Sequence, residues 1–322
     1  MVYNKIIKIE EDIFMENKKY ELTDITMKFE GRTLYRIRAL RDFSDVKAGD
    51  LGGWVSNENN LSQYGICWVY NNAMCMDNSR MFDDSKMYNG SRMFGNSRMH
   101  NNSKMFGNSV MCGYSEMWDN SKMYDNSKMC NNSIMYDNSK MYGDSVMFGN
   151  SIMYDSSEMH NNAEMHDNSK MFDSGKMFDN SVMYNHSKMY DNAKMYDSSK
   201  MYDNAKMHDH SRMHDHSKMF DDSEMYDCSE MLDSSVLYRD SMLKDEEKLY
   251  GELFFKVDKF IEIYTEEAGM VTGVLRNGKI LFSIDYYKEI DKEEFIDRIN
   301  NPTTPYEEEC LKVINKIESY LK

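Results

Sequence analysis

Apolar and polar positions follow each other along this chain in a strict period of six. Methionine occupies every sixth residue from Met81 to Met231 without a miss, and the purest unit reads Met-Tyr-Asp-Asn-Ser-Lys, as at residues 123–128. A period of six fits neither a helix, whose faces recur every 3.6 residues, nor an open strand with a two-residue alternation. Short fixed periods mark solenoids, and the hexapeptide period marks a parallel β-helix. Each hexad is read as one short strand and one corner, with three hexads closing a triangular coil.

Inside the hexad, Ser-Lys-Met-Tyr runs as strand, with Ser and Met facing in and Lys and Tyr facing out. The position two before each Met holds Ser or Ala, with Gly175 once. Only small side chains fit there. Turning tyrosine inward instead would crowd three aromatics into each coil, against close packing. Asp-Asn makes the corner. Its second position, filled by Asn78, Asp84, Gly90, Ser156 and His186 among others, is expected to take the positive φ. The pattern starts near Val69 and fades near Met242, about 29 hexads. A lone coil buries too little to stand, so stability belongs to the stack.

The ends differ. Residues 1–68 hold no hexads, and strand-like alternation at 20–27 and 33–40 flanks a turn at Glu30-Gly31. This reads as a β cap over the first coil, closing an edge that would otherwise invite end-to-end polymerisation. Beyond 243, strands are expected at 253–257, 260–264, 271–275 and 279–284, with Arg276-Asn277-Gly278 as a hairpin signal. Helices follow near 291–299, where Asp291 caps an acidic first turn, and over 306–321. The apolar stripe of the second is Cys310, Leu311, Val313, Ile314, Ile317 and Leu321. The expected organisation is mainly β: a cap over 1–68, a β-solenoid over 69–242 and an α+β domain over 243–322.

Residues 34–73, LYRIRALRDFSDVKAGDLGGWVSNENNLSQYGICWVYNNA, carry a resemblance. They are similar to the lead-in of prophage and bacterial hexapeptide-repeat proteins, often labelled transferases. There, Ala39-Leu40-Arg41-Asp42-Phe43 and the turn Asp50-Leu51-Gly52-Gly53-Trp54-Val55 would feed directly into the repeats. The alternation of Met with a small residue four later also resembles the hexapeptide-repeat superfamily. Met replaces its usual Ile, Leu or Val, which keeps volume but gives up stiffness. The resemblance implies a left-handed β-helix. For acyltransferase members it also implies a histidine base beside a CoA channel between trimer subunits.

The net charge of −16 is divided, with Asp at the corners and mostly Lys or Arg at the outward strand position. Basic stripes between acidic edges argue against a whole-molecule DNA mimic. No apolar run reaches membrane-spanning length and no secretory h-region follows Met1, so no membrane partner and a cytoplasmic location are expected. The six cysteines lack metal-type spacing. Cys112 and Cys130, eighteen residues apart, should stack on adjacent coils facing outward, where a disulfide can form but reduced surface thiols are favoured.

Three constellations bear on function. Outward Tyr, Phe, His and Trp form aromatic rows, which stack on each other for stability or offer an interaction surface. Pairing those rows with lysines could also stack single-stranded bases, but nucleic acid is the less favoured partner. Trp54, Trp68, Trp118, Tyr136 and Tyr154 are the candidate interaction residues. His208, Asp209, His210, His214, Asp215 and His216 are weak metal-ligand candidates, because successive corners lie too far apart for more than two His and one Asp to meet. No catalytic residue, cofactor or committed metal site is assigned. The unbroken methionines leave no inserted loop on which to build a pocket. The expected function is a non-enzymatic scaffold or protein-binding module of phage or prophage origin, self-associating through its faces. The alternatives are an acyl-CoA-dependent transferase and a phage inhibitor of a host nucleic-acid-processing or defence enzyme.

Overall fold

In the computed structural model, the described residues are 18–250, 253–257, 260–265, 269–276, 279–284, 291–299 and 307–321. The chain divides into two compact units, Met1–His166 and Asp167–Lys322. Both are built mainly from the hexads.

In the first unit a two-residue strand recurs every six residues, from Trp68–Val69 to Glu164–Met165. Each strand pairs in parallel with the one eighteen residues on, so Met87, Met105, Met123, Met141 and Met159 form one in-register column. Three such columns make the three faces of a β-solenoid. The backbone ladder is continuous within a column: Lys104 N donates to Ser121 O at 3.0 Å and Phe106 N to Met123 O at 2.9 Å. Every methionine in the inward slot, from Met81 to Met165, is 0% exposed, and the small positions beside them are fully buried too. Met and Ser face in, as the alternation requires. Several serine hydroxyls return to the backbone three residues earlier, as Ser139 Oγ does to Tyr136 O at 2.7 Å.

The corners differ from expectation. Positive φ falls on the first corner position, as at Asp77, Asp83, Asn89, Asp125 and Gly107, and not on the second. The physical reason is visible in the composition. In this unit the first position takes only Asp, Asn or Gly, the residues that bear a left-handed backbone best, whereas the second also accepts Tyr114 and Ser156. The corner aspartates then do a second job. Asp125 Oδ2 accepts from Gly143 N at 3.2 Å and Asp83 Oδ2 from Asn101 N at 3.1 Å, so each carboxylate ties its corner to the coil above. Asp125→Gly keeps the conformation and loses only the tie, at about 0.5–1 kcal/mol. Asp125→Ala loses both and is expected to cost about 1–2 kcal/mol more in urea denaturation. Equal losses in the two variants would remove φ as the reason for the residue choice.

The cap is a three-stranded antiparallel sheet of Tyr20–Phe29, Arg32–Ala39 and Leu51–Val55. Glu30 and Gly31, at φ 47° and 78°, make the tight turn between the first two. Leu51–Val55 is a strand and not the turn that the sequence suggested. It pairs in parallel with Met74–Cys75, placing the cap sheet directly on the first coil. Asn60, fully buried, seals the junction. Its Nδ2 donates to Ser79 O (2.8 Å) and Asp77 O (3.0 Å), and its Oδ1 accepts from the amides of Ser56 and Asn57. Tyr20, Phe43 and Trp68 pack edge to face beneath.

Two carboxylates clamp the cap in place. Arg32 grips Asp77 through Nε (2.7 Å) and Nη2 (3.0 Å), and Asp45 Oδ1 accepts from Tyr70 Oη (2.7 Å) and Lys86 Nζ (3.0 Å). The Arg32 guanidinium holds the Asp77 carboxyl below its ordinary value, and the Tyr70 hydroxyl does the same first of all for Asp45. A depressed carboxylate contributes stability above its unfolded pKa and loses it as pH falls through the folded one. The thermal midpoint of this unit should therefore drop on acidification below about pH 4. Asp77→Asn with Asp45→Asn should lower the neutral-pH midpoint and flatten that drop.

In the second unit the rungs run from Lys170–Met171 to Lys248–Tyr250, past Met242. Leu237, Leu243 and Leu249 take the methionine slot and are 0% exposed, so a pattern tracked by methionine stops too early. Leu253–Val257 pairs in parallel with Val236–Leu237 on one side and antiparallel with Phe260–Thr265 on the other, where solenoid gives way to meander. Gly269–Arg276 and Lys279–Ile284 complete that sheet, with Arg276 opposite Lys279; the Asn277-Gly278 turn lies outside the described residues. Helices Lys292–Ile299 and Glu307–Leu321 follow. Asp291 Oδ1 accepts from Glu294 N at 2.9 Å, the cap the sequence suggested. Phe295, Val313, Ile314 and Ile317 are buried, with Phe295 against Phe282.

Candidate functional site

On two faces of the first unit the outward residue after the methionine stacks on its counterpart eighteen residues away, whereas the third carries the Cys112–Cys130 disulfide and a tilted Phe148–His166 pair. In the first unit one ladder runs Tyr70, Tyr88, Phe106, Tyr124, Tyr142, His160, with ring centroids 4.5–5.0 Å apart and planes within 12°. A second holds Phe82, His100 and Trp118, the last two at 3.8 Å. In the second unit Phe172, Tyr190, His208 and Tyr226 form one ladder and Tyr184, Tyr202 and Phe220 another. The cause is geometric: coils repeat at about the strand spacing of 4.8 Å, close to the thickness of offset stacked rings. Ring edges stay partly exposed, so the ladder faces show a row of aromatic edges beside a row of charged side chains.

Those charges pair along the stack. Arg98 reaches Glu116 at 3.7 Å, Lys140 reaches Glu158 at 3.1 Å and Arg212 reaches Glu230 at 3.3 Å, each across eighteen residues. Glu224 lies between Lys206 and Tyr226, and the Tyr226 hydroxyl is pushed up to about 12 by burial first and then by that carboxylate. His100 and His208 sit half-buried in their ladders with Nε2 unpartnered, and burial pushes both imidazoles below their ordinary value.

The candidate interaction residues divide. Trp118 is half-buried on its ladder, with Nε1 donating to Glu116 at 3.0 Å, and Tyr136 and Tyr154 stack at 5.1 Å. Trp54 lies on the cap, partly exposed, with the Arg36 guanidinium 5.1 Å over its ring. Trp68 is 1% exposed and belongs to the cap core, so its indole is out of a partner's reach. The six weak metal candidates are not brought together. His208 and His214 stack in separate ladders, against Tyr190 and Tyr196, and no group of three or more potential ligands forms among the described residues.

One feature escaped the sequence reading. Glu164 Oε2 lies 2.7 Å from His166 Nε2 and Glu158 Oε2 lies 3.2 Å from His160 Nε2, giving two imidazole–carboxylate pairs. The signal was there: a Glu two residues before a His puts both on one side of a strand. A disulfide joins Cys112 to Cys130, the less favoured of the two states the sequence left open. The eighteen-residue repeat brings their Cα atoms to 4.7 Å, inside the range a disulfide spans.

No protein-family model matches the chain. A 38-residue stretch is 50% identical to the uncharacterized acetyltransferase YdcK of Escherichia coli (strain K12), covering 12% of either chain. The likeness joins a transferase-labelled protein to a β-solenoid repeat chain. The chain spans about an eighth of that relative's length.

Proposed function

We propose that the chain is a non-enzymatic β-solenoid scaffold that binds a protein partner through its aromatic ladder faces. The carrying observation is the rows themselves: ring edges left partly open, bordered by paired charges, on a framework without inserted loops. Aromatic surface held rigid by stacking is well suited to association, since little side-chain entropy remains to be lost. A phage or prophage origin rests on the resemblance of residues 34–73.

A second reading, an acyl-CoA-dependent transferase, is favoured by the stretch shared with YdcK and by the Glu164–His166 pair, which is built like a general base with its orienting carboxylate. Absolute mass by light scattering behind size exclusion, at two concentrations with and without acetyl-CoA, separates the two. A trimer that binds acetyl-CoA would overturn the scaffold reading. A monomer or dimer indifferent to the nucleotide supports it, and Tyr136→Ser with Tyr154→Ser should then abolish capture of the partner.

A further inference from the structure

Beneath the cap, Lys19 and Cys67 form a pair that neither the coil packing nor the ladder faces require. Both side chains are fully buried. Lys19 Nζ donates to Cys67 O at 3.0 Å, to Tyr64 O at 3.3 Å and to Cys67 Sγ at 3.2 Å, so its acceptors are two carbonyls and a sulfur, with no carboxylate among them. A buried ammonium without a counter-charge is costly, and the one group in contact that can supply the charge is the thiol. Burial pushes the lysine down and the cysteine up, while each pulls the other back toward its charged form. Amine and thiol thus stand in direct contact, each the other's polar partner at 3.2 Å. A surface cleft of about 230 Å³, lined by Leu61, Ser62, Gln63, Tyr64, Arg80 and Phe82, opens on the loop that covers them. That loop also contacts the pair directly: Ser62 O and Tyr64 O lie 3.6 Å and 3.9 Å from Cys67 Sγ.

We propose that Lys19 and Cys67 are an oxidative cross-linking site, at which hydrogen peroxide joins Nζ to Sγ as a sulfenamide. The steps balance. Transfer of the Cys67 proton to the Lys19 amine gives the thiolate, which attacks peroxide and becomes a sulfenic acid; the departing hydroxide takes a proton from the Lys19 ammonium and leaves as water. The amine, now neutral and already beside the sulfur, attacks it, and the sulfenyl hydroxide leaves with the amine proton as a second water. Sulfur loses two electrons and peroxide gains them. Condensation of a sulfenic acid with a nearby nitrogen is an established step of thiol oxidation, and it protects the sulfur from sulfinic acid. The bond ties the start of the first cap strand to the entry of the first coil, forty-eight residues on.

The test treats the full chain with hydrogen peroxide, blocks free thiols and maps peptides by mass spectrometry. The expected product links Lys19 to Cys67 and is lighter than the unlinked peptides by two hydrogens; dithiothreitol releases it. The cross-link should raise the thermal midpoint of the first unit by roughly 10 °C, reversibly. Lys19→Arg keeps a cation in place but lacks the free amine lone pair, so Cys67 should pass to sulfinic acid unlinked. Cys67→Ser, checked for a native circular dichroism spectrum, should lose both the link and the peroxide-induced shift. A Cys67 left unmodified while exposed Cys228 oxidises would overturn the proposal, as would a disulfide from Cys67 to the other buried free thiol, Cys75.

Discussion

Met123→Asp is expected to leave the first unit without a cooperative unfolding transition, while Met123→Leu stays within about 1.5 kcal/mol of the parent. Met123 is 0% exposed and stands in its column between Met105 and Met141, so a carboxylate there has thioether and methylene neighbours above and below. A buried ionised group without a partner costs far more than the stability of a domain, and the residue would have to protonate or the coil open. Truncation is milder: Met123→Ala leaves a cavity and should cost about 2–5 kcal/mol. Leucine is tolerated because the chain already uses it, at Leu237, Leu243 and Leu249, in the same slot and equally buried. Urea unfolding followed by far-UV circular dichroism measures all three. A folded, parent-like Met123→Asp would mean the column is not the core.

The solenoid was legible because its cause is periodic. A single inward slot, repeated on every rung, writes itself into the sequence as an unbroken row of methionines, and the small neighbour two residues earlier fixes which way each strand faces. Corner detail was less legible. Only composition, Asp, Asn and Gly with Arg239 once against a set admitting Ser, His and Tyr114, separates the left-handed corner residue from its neighbour. Where leucine replaced methionine the marker vanished although the rungs did not. Contacts between residues eighteen apart follow from the period once the coil is accepted, which is how the ladders and the adjacency of Cys112 and Cys130 were anticipated. The cap resisted reading for the opposite reason. Asn60, the Lys19–Cys67 pair and the Arg32–Asp77 clamp join residues seventeen to forty-eight positions apart with no period behind them.

Gly53→Ala should detach the cap from the first coil, at about 3 kcal/mol or more. Leu51–Val55 lies so close to the opening rungs that a Cβ on Gly53 would stand 2.6 Å from the Ala73 carbonyl oxygen and 2.5 Å from Val69 Cγ1. The carbonyl cannot yield, because it accepts from Trp54 N at 3.0 Å and so holds the register of the parallel pair. Gly52 is confined by side chains instead, with Ile37 and the Trp68 ring at 2.6 Å, and Gly52→Ala should cost less because those groups can shift by rotation. Gly31 provides the control. It has φ +78° with open space around it, so Gly31→Asn meets no atom and should change stability by under about 1 kcal/mol. With Trp118 replaced by Phe, the remaining tryptophans, Trp54 and Trp68, both report on the cap. Their fluorescence in urea should show an early transition in Gly53→Ala, ahead of the far-UV signal of the coils, and coincident transitions in Gly31→Asn. Were Gly53→Ala to unfold in one step at the parent's midpoint, the close approach of strand to coil would not be what holds the cap on.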